Sequence, residues 1–156
     1  MFLPRLAAPV FLAAALLSGV AHAQTPAASA SVSVEGAWAR ASVPGQKATG
    51  AFMRLTAPEA MRLVRAQSPA AGVTEVHEMK MDGDIMTMAE VKGGIVIPAG
   101  QTVELKPMGL HIMFLQVKEQ PVVNTSFKGS LTFEKAGTVE VEFEVVEPKA
   151  TMEHMQ

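Results

Sequence analysis

Residues 74–91 read TEVHEMKMDGDIMTMAEV, and this stretch indicates how the rest of the chain folds. Two extended runs flank Asp82-Gly83, a dipeptide that is a strong signal for a two-residue hairpin turn. A short helix over residues 59–65 is an alternative, but no helical period continues beyond it. We therefore predict an all-β sandwich of about eight to ten strands. The other strand candidates are residues 32–39, 50–55, 62–67, 95–97, 102–105, 111–117, 130–134 and 138–145.

The amino-terminal residues 1–23 have the pattern of a secretory signal peptide. Arg5 precedes an apolar run that ends near Val20, and Ala21-His22-Ala23 fits the small-x-small motif of signal peptidase. The run is short for a membrane span, which disfavours an uncleaved anchor. We predict cleavage after Ala23 and export. A flexible lead-in at 24–31, a folded domain at 32–147 and a flexible tail at 148–156 should then remain, with no membrane span in the mature chain.

Composition excludes several classes of function. The 156-residue chain has a net charge of −2, and its Lys and Arg residues are not clustered, so we do not expect nucleic-acid binding. It contains no cysteine, which removes thiolate nucleophiles, thiolate-bound zinc, iron–sulfur clusters and blue copper sites. No nucleophile–base arrangement is apparent, so we do not expect an enzyme. The 11 methionines, four of them between positions 79 and 88, are the most unusual feature.

The predicted hairpin places a set of soft donors on one face. With the turn at Asp82-Gly83, His77 should lie opposite Met88, and Met79 opposite Met86. Side chains alternate between the two faces of a strand, so one face carries one imidazole and four thioethers. A four-residue loop would keep this arrangement, whereas a three-residue loop would destroy it. The predicted set is His77, Met79, Met81, Met86 and Met88.

A second His/Met pair occurs further along the chain. His111 and Met113 are one residue apart on a predicted strand and should share a face, with Met108 just before them. Thioethers select Cu(I), whereas zinc prefers thiolates, carboxylates or a third His, and calcium and magnesium prefer oxygen. Cu(I) bound by two His and two Met is therefore the best match. The alternative is that the methionines fill gaps in a core.

Several phrases of the sequence resemble the PCuAC family of periplasmic copper chaperones. They are Gly36-Ala-Trp-Ala-Arg, Val76-His-Glu-Met, Leu105-Lys-Pro-Met-Gly-Leu-His-Ile-Met and the motif His77-x10-Met88-x22-His111-x-Met113. The resemblance implies a cupredoxin-like Greek-key β-sandwich. It also implies that Cu(I) binds to the four motif residues and is delivered to the CuA centre in subunit II of cytochrome c oxidase, alongside Sco-type proteins. Met79, Met81 and Met86 lie outside this ligand set and are candidate auxiliary ligands.

Further expectations concern the carboxy-terminal tail, two alternative functions and Trp38. Some members of that family have longer His/Met-rich tails that bind Cu(II), but here only Met152, His154 and Met155 are present, and a frayed end is the simpler expectation. The extra methionines leave a copper storage or resistance buffer as an alternative, and a metal-free β-sandwich assembly module as another. We expect Trp38 to pack inside the sandwich, because its ring buries a large area.

Overall fold

The computed structural model of the chain describes residues 31–147. Within this range no helix is long and apolar enough to cross a membrane. The predicted leader, residues 24–30 of the lead-in and the tail with His154 lie outside the described residues and stay predictions. The strands are Ser33–Arg40 (β1), Ala48–Thr56 (β2), Met61–Gln67 (β3), Ala71–Asp82 (β4), Ile85–Glu90 (β5), Ile95–Ile97 (β6), Thr102–Leu105 (β7), Leu110–Val117 (β8), Ser126–Phe133 (β9) and Gly137–Val146 (β10).

The strands form because apolar and polar residues alternate along them. In β10, Val141, Phe143 and Val145 are buried while the glutamates between them are exposed. This period-2 pattern buries one face of a strand and leaves the other in water. Residues 61–65 belong to strand β3, so the alternative of a short helix over residues 59–65 is wrong. The prediction of an all-β fold is confirmed.

The strands form one continuous hydrogen-bonded path that folds over into the two layers of a sandwich, with β5 and β6 at its open ends. Its order is β5-β4-β8-β2-β1-β10-β9-β3-β6, with β7 paired to β2. Strand β8 is distant from β9 and β10 along this path, yet Phe114 of β8 contacts Phe127 and Phe143 at ring-centroid distances of 5.2 and 5.4 Å. The contacts between these rings connect the two layers of the sandwich, and the hydrophobic core lies between the layers.

The hairpin of β4 and β5 lies at one edge of this path, and every residue of β5 is exposed. Its turn is formed by Gly83 and Asp84, because Asp82 pairs with Ile85. The predicted turn at Asp82-Gly83 and the pairing of His77 with Met88 are therefore wrong. Gly83 has a φ of 64° and occupies the first central position, where a type II′ turn requires glycine.

The change of turn shifts the cross-strand partner of each residue by two positions. Each side chain therefore stays on its predicted face of the hairpin. His77 pairs with Glu90, Met79 with Met88, and Met81 with Met86. A shift by one residue would have reversed the faces, but a shift by two does not. The predicted set of one imidazole and four thioethers therefore lies on one face of the hairpin, as the alternation indicated.

The prediction that Trp38 packs inside the sandwich is wrong. Its neighbour Ala39 is fully buried in the core, and alternation along β1 turns Trp38 to the opposite, outer face. There the Trp38 ring lies against Phe52 at a centroid distance of 4.4 Å and is half-buried. Both aromatic rings therefore belong to the outer face of the sheet, which also carries His111.

Two adjacent glycines before β6 provide a matched test of this packing. A Cβ atom on Gly94 would lie 1.9 Å from the Leu63 carbonyl oxygen, whereas one on Gly93 would meet only the Arg62 side chain at 3.8 Å. Both residues have positive φ. We expect Gly93→Ala to destabilise the fold by about 1 kcal/mol through backbone strain. Gly94→Ala should cost about 3 kcal/mol or more, because steric overlap adds to the strain. Urea unfolding measures both, and equal losses would contradict the close packing at Gly94.

Candidate metal centre

The pairing of β4 with β8 brings together the two His/Met sets that lie far apart in the sequence. His77 lies directly opposite His111, and Glu75 opposite Met113. The two imidazole centroids are 5.8 Å apart, in an edge-to-face arrangement. Residues directly opposite on paired strands share a face, so both rings and the Met113 side chain lie on the outer side of the sheet.

Met88 comes to the same place from β5. Its Sδ atom lies 3.0 Å from Nδ1 of His77, although the backbone partner of Met88 is Met79. Diagonal neighbours on a sheet face are within reach of long side chains, which accounts for this contact. The geometry thus joins Met88 with His77, and the β4–β8 pairing joins His77 with His111.

A surface cavity of about 290 Å³ lies beside this group of side chains. Gly50 is part of its wall and pairs with Met113 on the neighbouring strand. A Cβ atom at Gly50 would lie 3.1 Å from the Phe52 ring, so the glycine keeps room between that ring and Met113. Besides Gly50, the wall includes Arg40, Phe52, Met79, Met88, His111 and Met113.

Hydrogen bonds determine which nitrogen of each imidazole is available. Nε2 of His77 donates to the Glu75 carboxylate at 2.7 Å, which leaves the Nδ1 lone pair directed at Met88. In His111, Nδ1 donates to the Gly109 carbonyl at 3.0 Å and leaves Nε2 unprotonated. Such partners orient metal-binding imidazoles and fix their tautomers. Each ring therefore offers one lone pair in a defined direction.

His111 is only 5% exposed, yet it is not part of the core between the layers. Its neighbours Ile112 and Phe114 belong to that core, while His111 contributes to the wall of the surface cavity. Burial lowers the pKa of His111, and the positive charges of His77, when protonated, and Arg40 lower it further; the hydrogen bond to Gly109 opposes this. A lowered pKa keeps the imidazole neutral, which is the form that binds a metal ion.

The outer face carries an aromatic group that the sequence analysis did not identify as part of the site. Phe52 lies between Trp38, at 4.4 Å, and His111, at 6.1 Å between ring centroids. The Arg40 guanidinium lies 5.9 Å from the centroid of the Phe52 ring. This packing supports the His111 ring from the side of β2. Alternation around Ala39 and Ala51 would have predicted the shared outer face of Trp38 and Phe52.

The remaining predicted residues lie at different distances from the centre. Met79 and Met108 contribute to the cavity wall, whereas Met81 and Met86 pair at the exposed end of the hairpin. The auxiliary candidate His154 is outside the described residues. Among residues 31–147, no three His, Asp or Glu side chains form a metal-binding cluster. The donors at the centre are thus two imidazoles and several thioethers.

Fold and donors together define a β-sandwich domain with a His/Met-lined pocket on its outer face. The family described as putative lipoprotein LpqE-like matches residues 32–145, and the chain belongs to this family. A putative lipoprotein of Leifsonia xyli subsp. xyli, Lxx21020, is 34% identical over 119 residues, which cover 76% of this chain and 72% of that protein.

Solved structures of PCuAC domains have the same fold. The copper-bound PCuAC domain from PmoF2 matches with a TM-score of 0.64 and 24% identity, covering 75% of this chain and 93% of that domain. The Cu(I) form of DR1885 from Deinococcus radiodurans matches with a TM-score of 0.58 and 28% identity, covering 81% and 86%. The resemblance to the PCuAC family and the cupredoxin-like β-sandwich are confirmed.

The hydrogen bond from His77 to Glu75 leads to a prediction about the metal-free protein. Long-range ¹H–¹⁵N NMR, at a pH where both rings are neutral, should show the proton of His77 on Nε2. Glu75→Gln keeps an acceptor and should preserve this tautomer, whereas Glu75→Ala should give a mixture. The affinity for a metal ion bound by this ring should then fall about 10–100-fold in the alanine variant, as is typical when an orienting partner is lost. An unchanged tautomer in Glu75→Ala would show that Glu75 does not orient the ring.

Proposed function

We propose that this chain is a copper chaperone of the periplasm that binds Cu(I) through His77, Met88, His111 and Met113. The observation that carries the proposal is the convergence of these side chains on the outer face of one sheet. The two imidazole centroids are 5.8 Å apart, and Met88 Sδ lies 3.0 Å from His77 Nδ1. Met113 contributes to the same cavity wall as His111 and Met88.

The donor set favours Cu(I) over other ions. Thioether sulfur is soft and neutral, and it selects Cu(I) over the hard ions calcium and magnesium. A structural zinc site would normally use thiolates, and the chain has no cysteine. Thioethers carry no charge and an imidazole binds a metal ion as the neutral ring, a form that burial favours in His111 by lowering its pKa. Binding therefore requires no deprotonation of thiols, and the bound centre keeps a single positive charge.

Carrying copper, rather than using it for chemistry, is consistent with the position of the centre. Met88, on the edge strand, is 52% exposed, so an acceptor protein can reach at least one ligand directly. An open site of neutral ligands permits stepwise exchange with the ligands of that acceptor. We propose no catalytic role for the residues that line the cavity.

The proposed receiving centre is CuA in subunit II of cytochrome c oxidase, with Sco-type proteins as partners in the same assembly. Support for this step comes from the family resemblance. The solved relatives include a copper-bound domain and a Cu(I)-bound protein, and copper is the part of the proposal that they support. Export through the predicted signal peptide would bring the chain to the compartment where this assembly occurs.

A copper storage or resistance buffer is the second candidate function. The observation that favours it is the methionine pair at the exposed end of the hairpin, Met81 and Met86. Storage predicts that several ions bind with similar affinity, whereas a chaperone predicts one ion bound much more tightly than any other. The number of Cu(I) ions that each chain retains against a strong chelator therefore separates the two functions.

The ligand assignment is tested by anaerobic Cu(I) titration of the mature protein against a chromogenic chelator. We expect one tightly bound ion per chain. The double variant Met88→Leu/Met113→Leu removes both sulfurs with little change in side-chain volume. Its affinity should fall by more than about 100-fold, because loss of a mere orienting partner already costs 10–100-fold.

Met61→Leu is the matched control for this experiment. Met61 is 3% exposed in the core on β3, so its replacement removes a thioether without touching the proposed centre. Affinity should be unchanged in this variant. Tight one-to-one binding that survives in Met88→Leu/Met113→Leu, with the fold intact by circular dichroism, would overturn the ligand assignment.

A further inference from the structure

Two methionines at the end of the β4–β5 hairpin have no packing role in the core. Met81 and Met86 are directly paired across the hairpin and are 60% and 38% exposed. Neither belongs to the core cluster or to the residues packed against it. Large apolar side chains that are exposed next to one another are typical of a binding site rather than of a contribution to the stability of the fold.

The pair at the tip continues into the proposed copper centre. Two residues closer to the centre along each strand, Met79 pairs with Met88 on the same face. A step of two residues along a strand is about 7 Å, which long side chains can bridge. Met79 and Met88 in turn contribute to the cavity wall with His111 and Met113. Thioethers therefore form a row of two pairs, from the solvent-exposed tip to the cavity.

The charges on the hairpin favour a cation on this face. Glu90 lies opposite His77 and belongs to the same face as the four methionines. Lys80 lies on the other face, where its ammonium group is 3.1 Å from the Glu78 carboxylate. The lysine charge is thus turned away from the methionine row and partly neutralised, while the acidic group adds to the attraction for a positive ion.

We propose that Met81 and Met86 form a second, weaker site for Cu(I), through which the ion passes on its way to and from the main centre. The inference rests on the proposed function of that centre. Transfer proceeds by ligand exchange: the thioethers of Met79 and Met88 bind the ion as those of Met81 and Met86 release it. Copper remains Cu(I) throughout, so no electron or proton has to be supplied. Two neutral sulfurs bind more weakly than the full set, as a transfer site requires.

The kinetic test uses Met81→Leu/Met86→Leu in the full mature protein. Stopped-flow exchange of Cu(I) with a chromogenic chelator should be slower in both directions by the same factor. We expect about tenfold, which corresponds to about 1.4 kcal/mol in the barrier. The equilibrium affinity should not change, because the main ligands remain. Ile85→Leu is the control: Ile85 is 68% exposed on the opposite face of the same hairpin, and its replacement should leave the rates unaltered.

A binding test uses Ag(I), a soft monovalent ion without redox chemistry, and protein labelled with ¹³C in its methionine methyl groups. The first equivalent should shift the signals of Met88 and Met113. The second should shift those of Met81 and Met86. In Met88→Leu/Met113→Leu, where the main centre is disabled, Met81 and Met86 should respond to the first equivalent.

The outcomes separate this inference from the function on which it depends. Unchanged exchange rates in Met81→Leu/Met86→Leu, or methyl signals of these residues that do not respond to Ag(I), would overturn the second site while leaving the main centre intact. A lower equilibrium affinity in that variant would also overturn the inference, because Met81 and Met86 would then be ligands of the main centre. Failure of the wild-type protein to bind Cu(I) tightly would instead contradict the proposed function.

Discussion

The alignment of β4 with β8 is the constraint on which the candidate centre depends. It places His77 opposite His111, and these residues come from parts of the chain separated by the whole of β5, β6 and β7. A slip of one residue in either strand would turn one imidazole into the core and bring a core side chain to the surface. The hydrophobic effect therefore maintains this register, because Ile112 and Phe114 of β8 are buried on the inner face while His111 lies on the outer one.

The two sides of the candidate centre on this outer face differ in how closely they are packed. On the side of β2, His111 is supported by Phe52, and that ring is packed in turn against Trp38. On the other side lies the edge hairpin, whose β5 strand is exposed throughout. One imidazole is thus held by packing and by the Gly109 carbonyl, whereas Met88 lies on the terminal strand β5, which pairs only with β4 in the described sheet. A buried, well-packed ligand beside an exposed one suits a protein that captures and releases an ion.

Much of the fold and part of the site were predictable from residue order. Alternation in segments such as 138–145 was sufficient for the strands, and period 2 alone grouped His77 with the four methionines. The exact pairing was not predictable, because Asp82-Gly83 and Gly83-Asp84 are both acceptable turns, and the structure uses the second. The pairing of His77 with His111 is non-local and follows from tertiary packing. The location of Trp38 was predicted wrongly because its large ring suggested a place in the core. The ring instead packs against Phe52 on the outer face of the sheet.

X-ray absorption at the copper edge of the Cu(I)-loaded protein tests the central claim most directly, since it reports the neighbours of the ion itself. A centre of two imidazoles and two thioethers should give nitrogen and sulfur scatterers in roughly equal number. A first shell of nitrogen and oxygen alone would contradict it, because the methionines of the hairpin and of β8 would then have no part in holding the ion.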